Sequence, residues 1–124
     1  MATRTGLGKV IEGVRSAEGL AAEPVNALAV GLLVDFFADE SDVVSRRNAI
    51  NEVCQRLGLG GPSRRSASRI LAEAWQLLEN QGLICRDPNQ SQGDWWFLTR
   101  AGRQLLHGGD EELILTSHQD PSSR

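Results

Sequence analysis

Apolar residues recur with a helical period over most of this chain, and the pattern changes to short continuous runs only near residues 83–86 and 95–98. Leu7, Val10, Ile11, Val14 and Ala17 fall mainly three or four apart, which predicts a short, weakly capped amphipathic helix ending around Glu18 and Gly19. Pro24 suits the first turn of a second helix, because its missing N–H is not needed there. The apolar residues of that helix, from Ala27 to Phe37, cover all sides of the helical period and predict burial nearly all round. Gly31 in its middle weakens the helix intrinsically and is read as a point of close packing. The acidic run at 39–42 ends this helix, and Ser45 is placed to cap the next. Ala49, Ile50, Val53, Cys54 and Leu57 then form one stripe, closed by Gly58.

A GLGG linker at 58–61, with Pro62 and Ser63, leads into the helix SRRSASRILAEAWQLLENQ. Its inward stripe is Ala67, Ile70, Leu71, Ala74 and Leu78, with Trp75 at one edge and Gly82 closing it. The strands LICR and WWFL follow, joined by DPNQSQGD, in which Pro88 and Gly93 mark the connection. Thr99 caps a last helix that turns Ala101, Leu105 and Leu106 inward. From residue 108 the chain is polar apart from Leu113, Ile114 and Leu115 and is predicted to be disordered. The order of these elements predicts an α+β, mostly helical fold class: a winged helix-turn-helix with a two-stranded wing over residues 23–107. An N-terminal helix or flexible arm (1–22) precedes it and a polar tail (108–124) follows.

Composition narrows the classes of function. A chain of 124 residues, 40% of them hydrophobic, is one domain's worth with one modest core. The longest apolar stretch, 25–38, is interrupted by Asn26 and Asp35 and falls short of the roughly 20 residues a membrane span needs, so no membrane partner is expected. No cationic leader with a short apolar region and a cleavage site opens the chain, which predicts a cytoplasmic protein. Cys54 and Cys85 lack CxxC spacing and lie among apolar neighbours, so both are read as small core residues, neither disulfide-bonded nor metal-binding. His107 and His118 lie in or beside the polar tail and complete no ligand set. No nucleophile–base pair, carboxylate pair or phosphate loop between strand and helix is legible, so neither an enzyme nor a cofactor is expected.

Net charge of −3 weighs against nucleic-acid binding, yet its distribution reverses that reading. Between Arg46 and Arg103 nine Arg stand against five acids, a local charge of +4, and the remainder carries 4 bases against 11 acids, or −7. Lys9 is the only Lys among 13 basic residues, and Arg makes the better forked contacts to phosphate and guanine. A GC-rich coding sequence accounts for the shortage of Lys equally well. Two helices begin with Arg pairs, Arg46-Arg47 and Arg64-Arg65, where the helix dipole favours acids. That placement makes sense if both starts face an anion met by guanidinium and free N–H groups.

With its stripe turned inward, the Arg-rich helix presents Arg65, Ser68, Arg69, Ala72 and Gln76 on the opposite face, as a recognition helix in the major groove would. The plainer alternative is a solvated face on which Arg69 pairs with Glu73. Trp95, Trp96 and Phe97 are consecutive, so a strand must put aromatic groups on both faces. One face packs on the helices, and the other lies against the first helix, a second subunit or a ligand; core packing is the plain reading of the whole run.

The stretch 72–106, AEAWQLLENQGLICRDPNQSQGDWWFLTRAGRQLL, is similar to the end of prokaryotic winged helix-turn-helix domains. Leu78, Glu79, Gly82, Leu83 and Ile84 match before the wing, and Leu98, Thr99, Gly102, Leu105 and Leu106 match after it. It also looks like the N-terminal winged part of a poorly characterised prokaryotic family in which a separate helical domain follows. The resemblance implies a DNA-binding fold with double-stranded DNA as partner, acting in transcription regulation as a homodimer. Arg64, Arg65, Ser68, Arg69 and Gln76 would then read bases, and Arg46, Arg47, Arg86 and Arg100 would hold phosphates. The departures are the acidic overall charge and a wing without Lys or Arg, which argue against wing contact in the minor groove. The alternative from another class is a winged-helix protein–protein interaction module.

Overall fold

A computed structural model describes residues 10–38, 43–89 and 94–108 of the chain. The expectations of a disordered tail and of a helix closed by the acidic run 39–42, and half of the loop 87–94, lie on residues outside that set. The elements are α1 (Ala17–Ala21), α2 (Val25–Phe37), β1 (Val44–Ser45), α3 (Arg46–Leu57), α4 (Gly61–Asn80), β2 (Ile84–Arg86), β3 (Trp95–Leu98) and α5 (Arg100–Gly108). They make a mostly helical α+β fold with a small antiparallel sheet of three strands in the order β1-β3-β2. Val44 pairs with Trp96 and Ser45 with Trp95, while Ile84, Cys85 and Arg86 pair with Leu98, Phe97 and Trp96. Two strands are expected from the sequence; β1 escapes because two residues carry no readable alternation.

The long helix α4 is the centre of the core. It buries Ala67, Leu71, Ala74, Trp75, Leu77 and Leu78, with Ile70 only half-buried, so the inward face is centred closer to Trp75 than the sequence stripe implies. Trp75 meets Phe37 of α2 at a ring-centroid distance of 5.4 Å and Trp96 of β3 at 6.0 Å in an edge-on contact. This aromatic row joins α2, α4 and the sheet. Burying three large rings outweighs leaving the Trp75 Nε1–H without a partner.

Two helix ends follow the sequence closely. Ser45 Oγ accepts from the N–H of Asn48 at 3.2 Å at the start of α3. At the other end Gly58 takes a left-handed conformation, with the Gly58 N–H on the Gln55 carbonyl and the Leu59 N–H on the Cys54 carbonyl, both at 3.1 Å. Helix α4 opens earlier than its polar start implies, with Gly60 as N-cap and Pro62 in the first turn, so Arg64 and Arg65 sit one turn inside it.

Four expectations change. The first helix is broken: Gly13 at φ 88° redirects the chain, and Ser16 Oγ caps α1 by accepting from the Gly19 N–H at 3.0 Å. Ile11, Val14, Ala17 and Leu20 are nonetheless buried, and Ile11, Val14 and Leu20 belong to the chain's own core cluster. Helix α2 buries Leu28, Ala29, Leu32, Leu33 and Phe37 but leaves Val30, Val34 and Phe36 half-exposed. Cys85 is exposed, because strand alternation turns its neighbour Ile84 inward, while Cys54 is buried as expected. Ala101 is exposed and Gly102 takes its inward place, since a Cβ on Gly102 would lie 2.2 Å from the Leu83 carbonyl oxygen. Thr99 fixes that close approach by donating to the Gly82 carbonyl at 2.6 Å and accepting from the Gly102 N–H at 3.0 Å.

No helix among the described residues is long and apolar enough to cross a membrane. Nor do the described residues hold a group of three or more His, Cys, Asp or Glu placed to bind a metal ion.

Candidate nucleic-acid interface

Helices α3 and α4 are joined by only Gly58, Leu59 and Gly60, so the start of α4 packs against the end of α3. The Cys54 thiol reaches the Arg64 carbonyl at 4.0 Å and the Ser68 hydroxyl at 3.8 Å. Ser68 therefore lies on the seam between the helices, half-buried, and not at the centre of the outer face. Arg65 and Arg69 are exposed one turn apart on that outer face, and Arg64 is half-buried on its flank. No salt bridge joins Arg69 to Glu73 among the described residues. Gln76 is also exposed, but it sits about 10 Å further along the helix than Arg69 and donates to Asn80 Oδ1 at 3.0 Å. The structure thus brings Arg65 and Arg69 together and leaves Ser68 and Gln76 at the margins.

The start of α3 is different. Its anion is built in: Asp94, just ahead of β3, accepts from the Arg46 N–H through its carbonyl at 3.1 Å and from the Arg47 N–H through Oδ2 at 3.0 Å. Arg46 Nε also donates to Asp94 Oδ2 at 3.2 Å, and Trp96 Nε1 donates to Oδ1 at 2.8 Å. With Ser45 serving Asn48, the first three N–H groups of α3 are all satisfied inside the chain. The sequence expectation that both Arg pairs greet an external anion with free N–H groups is therefore corrected at both helices, since at α4 the Arg64 N–H donates to the Gly60 carbonyl at 3.3 Å: only guanidinium groups remain available. Along the axis of α3, Arg46 and Cys54, whose thiol reaches the Arg64 carbonyl, are about 12 Å apart.

Arg46, Arg47 and Arg86 are nevertheless gathered. They line one open groove of about 640 Å³ with Asn48, Asp94 and Trp95. Strand alternation explains the wall: Trp96 is 4% exposed and packs inward, so Trp95 and Phe97 are half-exposed on the outer face. Arg100 opens α5 and is exposed, but it does not line this groove.

Not all the basic charge faces outward. Arg56 is bound to Glu52 and to Asp35, the latter at 3.3 Å, and its guanidinium lies 5.8 Å from the centre of the Phe36 ring. Burial alone would lower its pKa, but the hydrogen bonds and charges of Glu52 and Asp35 more than offset this and raise it. Asp94 is the residue of this groove that sequence reading overlooks. It stands 47 and 48 positions from its Arg partners, and no local pattern marks a contact of that range. Comparison with protein-family models, with curated proteins and with solved structures finds no match.

Proposed function

We propose that this chain is a winged helix-turn-helix protein that binds double-stranded DNA, with α4 as the recognition helix, and that it regulates transcription. The observation carrying this reading is the order α2-β1-α3-α4-β2-β3 around a β1-β3-β2 sheet, together with a central helix that buries one face and shows Arg65 and Arg69 on the other. That order supports a helix presented by a short turn and flanked by a sheet, the arrangement by which such helices enter a major groove. Arg65 and Arg69 lie in the first turns of α4, where base edges come within reach and Arg pairs in fork fashion with guanine. Arg47, Arg86 and Arg100 flank them as phosphate contacts, and Arg46 contributes with the nitrogens that Asp94 leaves open.

Titration of random-sequence duplex DNA at two salt concentrations tests the proposal. Affinity is expected to fall steeply as salt rises, since each neutralised phosphate releases counterions. Arg69→Ala is expected to cost about 1–3 kcal/mol and relax sequence preference. No parent binding even at low salt, or unchanged affinity in a folded Arg65→Ala/Arg69→Ala variant, would replace DNA with a protein partner docked on the half-exposed Trp95 and Phe97.

A further inference from the structure

The outer face of α4 carries one charged group that base reading by Arg65 and Arg69 does not use. Glu73 is exposed one turn beyond Arg69, as Arg69 is one turn beyond Arg65. Each member of this row is displaced about 6 Å along the axis and turned about 40° from the last, so all three lie on one side of the helix. None of the three is in an ion pair among the described residues, although Arg69 and Glu73 stand at the spacing that allows one. The opposite side of the helix is fixed, because Ala67, Leu71, Ala74, Trp75 and Leu78 are buried in the core. Beyond the row, the Gln76 amide is engaged by Asn80 Oδ1 at 3.0 Å.

We propose, resting on the reading of α4 as a recognition helix, that Glu73 is a specificity-determining residue. Its carboxylate accepts from the N4 amino group of a cytosine while Arg65 and Arg69 hold guanines, so that α4 selects a duplex rich in G·C pairs. A carboxylate only accepts hydrogen bonds, and the phosphates that border a major groove repel it, so a donor on a base edge is what rewards its presence there. The groove offers two such donors, cytosine N4 and adenine N6. Adenine N6 lies between two acceptors, its own N7 and thymine O4, whereas cytosine N4 has an acceptor only on the side of its paired guanine. The carboxylate is therefore repelled less at cytosine. From Arg65 to Glu73 the row runs about 12 Å, or about four base pairs at roughly 3.4 Å per pair.

Selection of bound duplexes from a random-sequence pool by the whole chain, followed by titration of the selected duplex with one pair changed at a time, tests the proposal. Replacing the cytosine is expected to weaken parent binding about fivefold or more, the low end of discrimination by a base contact. Glu73→Ala is expected to abolish that preference and keep the two guanines, and Glu73→Gln to move it to adenine, whose N6 and N7 fit a side-chain amide. Arg69→Ala is expected to do the reverse, losing one guanine and keeping the cytosine. Both Glu73 variants change an exposed side chain and are expected to unfold at the parent's denaturant concentration. The proposal is overturned if Glu73→Ala strengthens binding to every sequence alike, the mark of a carboxylate that only repels phosphates, or leaves every preference as it was. It is equally overturned if the parent shows no preference for cytosine. Any of these results, with Arg69→Ala still relaxing the choice of guanine, leaves α4 as a recognition helix and removes only Glu73 from base reading. No binding of any duplex by the parent at low salt overturns both.

Discussion

The starts of α3 and α4 carry the same signature, an Arg pair near the positive end of a helix dipole, and they end in different electrostatic surroundings. At α3 the dipole and one guanidinium are answered by Asp94, which arrives from beside β3 and closes the first N–H groups. At α4 the N-cap is Gly60, which has no side chain to give, and the exposed Arg65 has no ion pair among the described residues. Like sequences thus acquire unlike roles: one pair is half enlisted in holding the sheet to α3, and the other faces outward. The comparison teaches that an Arg pair at a helix start is a question, and that the answer comes from whichever acid the fold delivers.

The aromatic row beneath Asp94 is the place to break this comparison hardest. Trp75→Ala removes the ring on which both Phe37 and Trp96 rest and is expected to cost about 3–5 kcal/mol in denaturant unfolding. A variant that melts like the parent would mean that the Trp96 to Asp94 to Arg46 chain has no rigid base.

Next in size is Asp94 itself. Asp94→Ala is expected to destabilise by about 2–3 kcal/mol, because it leaves the Arg47 N–H and the Trp96 Nε1–H without their acceptor. Arg65→Ala at the other helix is expected to stay within about 0.5 kcal/mol of the parent. Equal costs at the two sites in the same unfolding assay would erase the distinction between the helix starts.

The smallest effect sharpens it on the DNA side. Arg47→Ala is expected to leave stability unchanged, weaken all duplex sequences alike and lower the salt slope by about one unit, as for one lost phosphate contact. A change in sequence preference would instead place Arg47 at a base edge.

Much of the fold is legible in the sequence wherever the signal is local. Ser45 and Thr99 as caps, Gly58 as the left-handed stop of α3 and Trp75 as a core residue all rest on interactions within about one helical turn or on a run of apolar spacing. Gly102 falls in the matched stretch Leu98-Thr99-x-x-Gly102, and its reason emerges only when Leu83 is seen pressed against it. The break at Gly13 is not legible, because a spacing of three or four fits a helix and a reversed turn equally well.

The amino-acid sequence by itself determined most of the helical segments, the Ser45 and Thr99 caps, the two longer strands and the concentration of Arg in the middle of the chain, because those features are set by backbone preference and by the period of burial. The tertiary structure decided the rest. It chose Trp96 over Trp95 and Phe97 for the core, added Val44 and Ser45 as a third strand, moved Ser68 to the seam with α3, and gathered Arg46, Arg47 and Arg86 into one groove around Asp94. Each of those outcomes depends on pairing between residues far apart in sequence. Such pairing leaves no periodic trace, since the Coulomb and hydrogen-bond terms that reward it act only once the core has brought the partners within a few ångströms.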